Sequence, residues 1–279
     1  MPQRWPHAAC ILVLLSTPAF GQSAGTRDTK AAPLTIGETF TIESKALGET
    51  RRINVYVPPG YVESADVRVP VLYMPDGGIK EDFLHVAGLV QVSVGNRTMR
   101  PFLLVGIENT ERRRDLTPPT ENAENKKVAP RVGGSAQFRK FIREELMPEI
   151  RARYRTTAET AIVGESLAGL FAMETLVAEP DLFDTYIAID PSLWWNDHKM
   201  ADGMAAWLVA HPKLHKTLYF ASSEETANIE IMQRLAAVLK QNAPAGLDWH
   251  YEPMPEEKHS TIYHPAALKA FRSVFAPAH

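Results

Sequence analysis

The stretch Thr160-Ala-Ile-Val-Gly164-Glu165-Ser166-Leu167-Ala168-Gly169-Leu170 carries an apolar run into Gly-x-Ser and on into a helix start built of small residues. A nucleophile elbow requires this context, because small residues let the backbone turn sharply while the serine hydroxyl stands clear of the sheet. The residue two after the serine, usually glycine, is Ala168 here, with Gly169 one place later. That is a mild departure, since alanine is also small. A serine that only caps a helix would give a similar stretch, so the elbow needs partners. An ordinary serine does not attack esters. A base must reach its hydroxyl, and a third group must orient that base.

Both partners occur downstream, in the order nucleophile, acid, histidine. The strand-like run 217–221 leads into Ser222-Ser223-Glu224-Glu225, and the run 248–252 leads into residues 253–258 and then His259-Ser260. His259 is the expected base because it lies in the loop beyond the last strand, whereas His264 precedes Pro265 and reads as a cap of the final helix. Glu225 is the expected acid, with Glu224 or a Ser–His pair without an acid as alternatives. The backbone N–H of Leu167, at the helix start, is a candidate oxyanion donor. A second donor should come from Pro75-Asp76-Gly77-Gly78, which follows the strand-like run 69–74.

The elements that must position these groups alternate in type along the chain. Residues 39–42, 52–57, 69–74, 102–107, 160–163, 186–189, 217–221 and 248–252 read as strands, several of them short continuous apolar runs suited to burial on both faces. Helical spacing covers 135–154, 169–178, 200–210, 229–240 and 265–275. Such alternation predicts a mostly parallel central sheet with helices on both faces, in a single α/β domain over residues 34–279. The stretch 109–134 has no clear period, holds Arg112-Arg113-Arg114 and Pro118-Pro119, and is expected near the site.

Residues 1–21 place Arg4 and His7 before an apolar run and end on Ala19-Phe20-Gly21, the shape of a secretory signal peptide. Residues 22–33 read as a flexible leader. The expected location is therefore periplasmic or secreted, with no membrane span, because no later run reaches about 18 consecutive apolar residues. The one cysteine, Cys10, falls inside the signal, so the remainder can form neither a disulfide nor a thiolate metal site. A formal charge of −3 leaves no basic footprint for nucleic acid. His211 and His215 share a spacing with metalloprotease helices, but Pro212 and the lack of an adjacent glutamate point to a turn. No metal or cofactor is expected, and oligomeric state is left open.

Taken together, the segments Pro70-Val-Leu-Tyr-Met-Pro-Asp-Gly77, Val105-Gly-Ile-Glu-Asn109, Arg114-Asp-Leu-Thr-Pro118, Phe141-Ile-Arg-Glu-Glu-Leu-Met-Pro148, Gly164 to Leu170, Asp190-Pro-Ser-Leu-Trp-Trp195 and His259-Ser260 resemble the serine esterase family of the α/β-hydrolase superfamily. That family includes siderophore esterases of the enterobactin type, feruloyl esterases, S-formylglutathione hydrolase and mycobacterial mycolyltransferases. The resemblance implies an α/β-hydrolase fold, with Ser166 as nucleophile, His259 as base and the amides of Gly78 and Leu167 as the oxyanion hole. It also implies that Ser and His can suffice without an acid. Trp194 and Trp195 follow a strand end on the ligand-binding side and either stack on substrate or pack in the core. Arg114, in the arginine run, either meets an anionic substrate such as a ferric catecholate or is a solvated charge. Ser192, with no glycine elbow before it, reads as structural. The expected activity is hydrolysis of a small-molecule carboxylic ester through an acyl-enzyme. An acyltransferase of the same fold and a noncatalytic periplasmic binding protein are the alternatives.

Overall fold

The computed structural model describes residues 31–128, 131–224 and 226–277. The expected signal peptide and most of the expected leader therefore lie outside the described residues. From Ile36 onward the chain forms one compact unit. Its strands are β1 (Glu38–Ser44), β2 (Glu49–Tyr56), β3 (Val69–Pro75), β4 (Leu103–Ile107), β5 (Thr156–Glu165), β6 (Thr185–Ile189), β7 (Lys216–Ser222) and β8 (Leu247–Pro253). They join in one sheet of order β1-β2-β4-β3-β5-β6-β7-β8. The β1–β2 and β2–β4 pairs are antiparallel, and every other pair is parallel.

The helices are α1 (Phe83–Gly95), α2 (Arg112–Asp115), α3 (Ala123–Val128), α4 (Ser135–Phe141), α5 (Met147–Arg153), α6 (Leu167–Ala178), α7 (Lys199–Ala210), α8 (Thr226–Asn242) and α9 (Tyr263–Val274). Strands β3, β4 and β6 are buried along their whole length, because successive side chains enter cores on opposite faces. Leu72, Met74, Leu104, Val163 and Ile187 pack with α1 and α9 on one side. Tyr73, Val105, Ile162, Tyr186 and Phe220 pack on the other, with residues of α4 to α8.

Three features differ from the sequence expectation. Helix α1 had no assigned element; Gly88 and its many valines are weak helix formers, and the helix is held by burial of Phe83, Val86, Ala87 and Val90 along one side. The expected helix 135–154 is continuous but widens into a π turn at Ile142–Leu146, just before Pro148. Proline has no N–H and crowds the carbonyl four residues back, which a wider turn relieves. The stretch 109–134 is not wholly irregular, since it contains α2 and α3.

That stretch is anchored from below by one buried cation. Arg51 of β2 is fully buried; its guanidinium donates to Asp115 at 2.5 Å, Thr110 at 2.9 Å, Glu49 at 3.0 Å and the Glu108 carbonyl at 2.9 Å. It lies 5.2 Å from the Phe138 ring centroid. Arg114 closes the network by pairing with both Glu49 and Asp115 at 2.7 Å. A buried charge left short of its counter-charge is strongly destabilising, so Asp115→Ala is expected to lower unfolding free energy by about 3 kcal/mol or more in a urea titration.

Candidate active site

Strand β5 ends at Glu165 and α6 begins at Leu167, so the whole reversal falls on Ser166, whose φ of 58° and ψ of −118° lie where L-residues are strained. Such a conformation costs about 1–3 kcal/mol and persists only where its surroundings over-determine it. Here the Ser166 N–H donates to the Ile189 carbonyl at the end of β6, and the Ser166 carbonyl accepts from Leu170 and Ser192. A Cβ on Gly164 would lie within 2.6 Å of Ala168 backbone and side chain. Gly164 thus concedes the space that Ala168 fills, which is why alanine is accommodated at a position where glycine is usual.

Three loops from the same edge of the sheet meet at this serine. The Ser166 hydroxyl lies 3.1 Å from Nε2 of His259, which sits in the turn between β8 and α9. On its other side the imidazole donates through Nδ1 to Asp190 Oδ2 at 2.7 Å. This second bond places the ring proton on Nδ1 and leaves the Nε2 lone pair facing the hydroxyl. Asp190 itself follows β6, has no exposed side-chain surface, and also accepts from the Ser223 hydroxyl at 2.7 Å and the Ser223 amide at 3.1 Å. Burial alone would raise its carboxyl, but the hydrogen bonds from His259 and Ser223 outweigh burial and hold it below the ordinary carboxylate range.

The acid seat at Nδ1 is thus filled from a different loop than expected. Glu225 lies outside the described residues, and Glu224 is exposed with its amide bonded to the Glu257 carbonyl. The β7 loop contributes Ser223 instead, as a donor that fixes Asp190. The available signal was the position of Asp190, immediately after a fully buried strand and at the opening of the Pro-Ser-Leu-Trp-Trp segment. His264 is at the start of α9, with its ring 5.5 Å from His85.

Two further residues stand beside His259 and Ser166. Glu165, the middle residue of Gly-x-Ser, puts Oε1 3.2 Å from Nε2 of His259. Burial pushes its carboxyl up to about 7, against the pull of His259 and Arg112 and with Asp76 and Asp190 adding to the rise. Ser192, read as structural, has its hydroxyl 3.3 Å from that of Ser166.

Leu167 is the first residue of α6, where a helix leaves its N–H groups without a partner of its own. The Gly78 amide, by contrast, donates to Glu81 Oε2 at 2.7 Å. The loop behind it is braced by Asp76, at φ 57°, which takes a two-pronged contact from Arg112 at 2.6 and 2.8 Å. Arg112, not Arg114, is therefore the arginine facing the carboxylates beside the serine. The Arg114 assignment is corrected, because its guanidinium is held by Glu49 and Asp115. The tryptophans divide. Trp195 is buried and donates to the Pro118 carbonyl at 3.2 Å, tying the 109–134 stretch to the β6 loop. Trp194 is 39% exposed. Trp195 also lines, with Pro118, Pro119 and Leu170, a cavity of about 260 Å³. Among the described residues no group of His, Cys, Asp and Glu is arranged to hold a metal ion, and no helix is long and apolar enough to cross a membrane.

A profile of the family described as "Putative esterase" matches residues 44–248. The chain belongs to this esterase family. Its fold is the α/β-hydrolase fold: an IroE-like serine hydrolase from Shewanella oneidensis matches with TM-score 0.77 at 30% identity, over 86% of this chain and 80% of that one. The ferri-bacillibactin esterase BesA of Bacillus subtilis is 30% identical over 168 residues, 53% of this chain and 56% of that protein. A siderophore triacetylfusarinine C esterase of Aspergillus fumigatus is 33% identical over 183 residues, 59% of this chain and 58% of that protein. These alignments span a little over half the length of each curated relative.

The raised Glu165 carboxyl has a consequence for the stability of this esterase-family chain. Between the ordinary value of 4.5 and about 7 the Glu165 carboxyl holds a proton in the folded chain that it has lost in the unfolded one, so its own contribution makes stability fall as pH rises through that window. Glu165→Gln removes this loss. Its unfolding free energy relative to wild type is expected to climb between pH 4.5 and 7 and stay level above in urea titrations at pH 4.5, 7 and 8.

Proposed function

We propose that this protein is an exported serine esterase that cleaves carboxylic esters through an acyl-enzyme. The observation that carries the reading is the chain of two hydrogen bonds from Ser166 through His259 to Asp190, at 3.1 and 2.7 Å. His259 takes the serine proton through Nε2, and the oxygen attacks the ester carbonyl. Asp190 stabilises the imidazolium that forms, and the imidazolium then protonates the leaving alkoxide. Water, activated by the same histidine, releases the acid. The Leu167 amide faces the developing oxyanion. For Gly78 to act as the second donor, Glu81 must yield its amide to the incoming carbonyl oxygen.

The names of the relatives favour siderophore-type esters as substrates, and Trp194 offers an exposed ring for an aryl group of such a molecule. The signal-like residues 1–21 favour a periplasmic or secreted site of action, where such esters would be met. Acyl transfer to an alcohol is the second reading, with the same first half-reaction; adding alcohol acceptors and analysing products separates it from hydrolysis.

The test is a panel of p-nitrophenyl, feruloyl and siderophore esters, the last in ferric and iron-free form, together with fluorophosphonate labelling. Wild type is expected to label on Ser166 and to hydrolyse at least one class, while Ser166→Ala does neither. Asp190→Asn is expected to lower kcat by about 10³–10⁴, because the imidazole loses its orienting acceptor. Glu224→Gln is expected to leave kcat within about twofold, as an exposed surface change does. Absence of labelling in folded wild type would favour the binding-protein reading.

A further inference from the structure

Resting on the assignment of Ser166 and His259 as nucleophile and base, we propose that Glu165 is a positioning residue that shares one proton with Nε2 of His259 and so sets the pH range in which the imidazole is free to take the serine proton. The geometry is a competition at one atom. Nε2 has the Ser166 hydroxyl at 3.1 Å and Glu165 Oε1 at 3.2 Å, and it can engage only one proton at a time. The Glu165 side chain is 15% exposed, so water does little to moderate the contact.

The protonation states order themselves by simple electrostatics. With both groups deprotonated, the Nε2 lone pair faces a carboxylate, which is repulsive. Adding one proton relieves this in either of two ways. A neutral Glu165 donates its O–H to Nε2, or an imidazolium donates its N–H to the carboxylate. Both arrangements occupy the lone pair that the serine proton needs. The base is therefore free only after the shared proton has left.

The surroundings support sharing. Asp190, after β6, sits on the other ring nitrogen and favours an imidazolium. Asp76, after β3, adds a second anion near Glu165, and Arg112 of α2 is the opposing cation but is already paired with Asp76 through two bonds. The Tyr263 hydroxyl, at the start of α9, is buried and feels Asp82, Asp76, Glu165 and Arg112. Within this ring Glu165 and His259 behave as a coupled pair, whose apparent midpoints belong to the pair and not to either residue. In the forward reaction the same contact becomes useful: once the imidazole has taken the serine proton, its Nε2–H faces an anion.

The test follows the His259 imidazole by NMR across pH 4–9 in protein with labelled histidine, its resonance assigned by its absence in His259→Asn. In wild type the titration is expected to show two inflections. In Glu165→Gln it is expected to collapse to one, moved down by about one pH unit, with Glu165→Asp intermediate. The acidic limb of kcat/KM should move with it, so that at pH 5 the Gln variant keeps up to about tenfold more of its plateau activity than wild type. A single inflection in wild type, or a midpoint unchanged in folded Glu165→Gln, overturns the proposal. The wild-type curve decides even if the variant does not fold. A coupled titration without ester turnover would leave the pairing intact and remove the esterase reading, whereas turnover with an uncoupled titration would do the reverse.

Discussion

Everything at the candidate site depends on one buried carboxylate. Asp190 has no side-chain surface in contact with solvent, and its charge is tolerable there because groups including the His259 N–H and both the amide and hydroxyl of Ser223 converge on it. Those same bonds fix the imidazole tautomer and its plane. An anion that must be fully hydrogen-bonded to remain buried thereby orients the imidazole that faces the Ser166 hydroxyl. Stability and chemistry rest on the same contacts.

The backbone around Asp190 is constrained in the same way. Its own φ is positive, as is that of Ser166, and the two strained residues are laced together by the Ser166 amide to the Ile189 carbonyl and the Ser192 amide to the Ser166 carbonyl. Each turn would be unfavourable alone. Parallel neighbours β5 and β6, ending side by side, supply the hydrogen bonds that hold both.

A second anionic layer lies over the first. Glu165, Asp76 and Glu81 all face the loops that frame the serine, with Arg112 as the principal cation among them. An anionic substrate would enter a site this rich in carboxylates against repulsion unless Arg112 or protons offset it. The Arg51 network beneath the 109–134 stretch keeps Arg112 in register, since Asp115 of the same short helix is bound to Arg51.

Much of this was legible in the residues alone. Continuous apolar runs marked the buried strands, Gly164, Ser166 and Gly169 marked the elbow, and a histidine beyond the last strand stood out because hydrophobic period and turn chemistry are local properties. The partner of that histidine was not legible in this way. Acidic residues follow several strands, and choosing Asp190 over a glutamate after β7 depends on how far each strand end reaches and which side chain is dry, neither of which is written in local sequence. The same holds for Glu165, whose neighbours along the chain say nothing of an imidazole brought from residue 259, and for Arg114, whose charge was claimed by Glu49 from a distant strand. Local sequence determined most of the elements, α1 excepted, and which hydroxyl is presented; only tertiary packing decided which charges meet, because burial and pairing are properties of segments brought together from far apart in the chain.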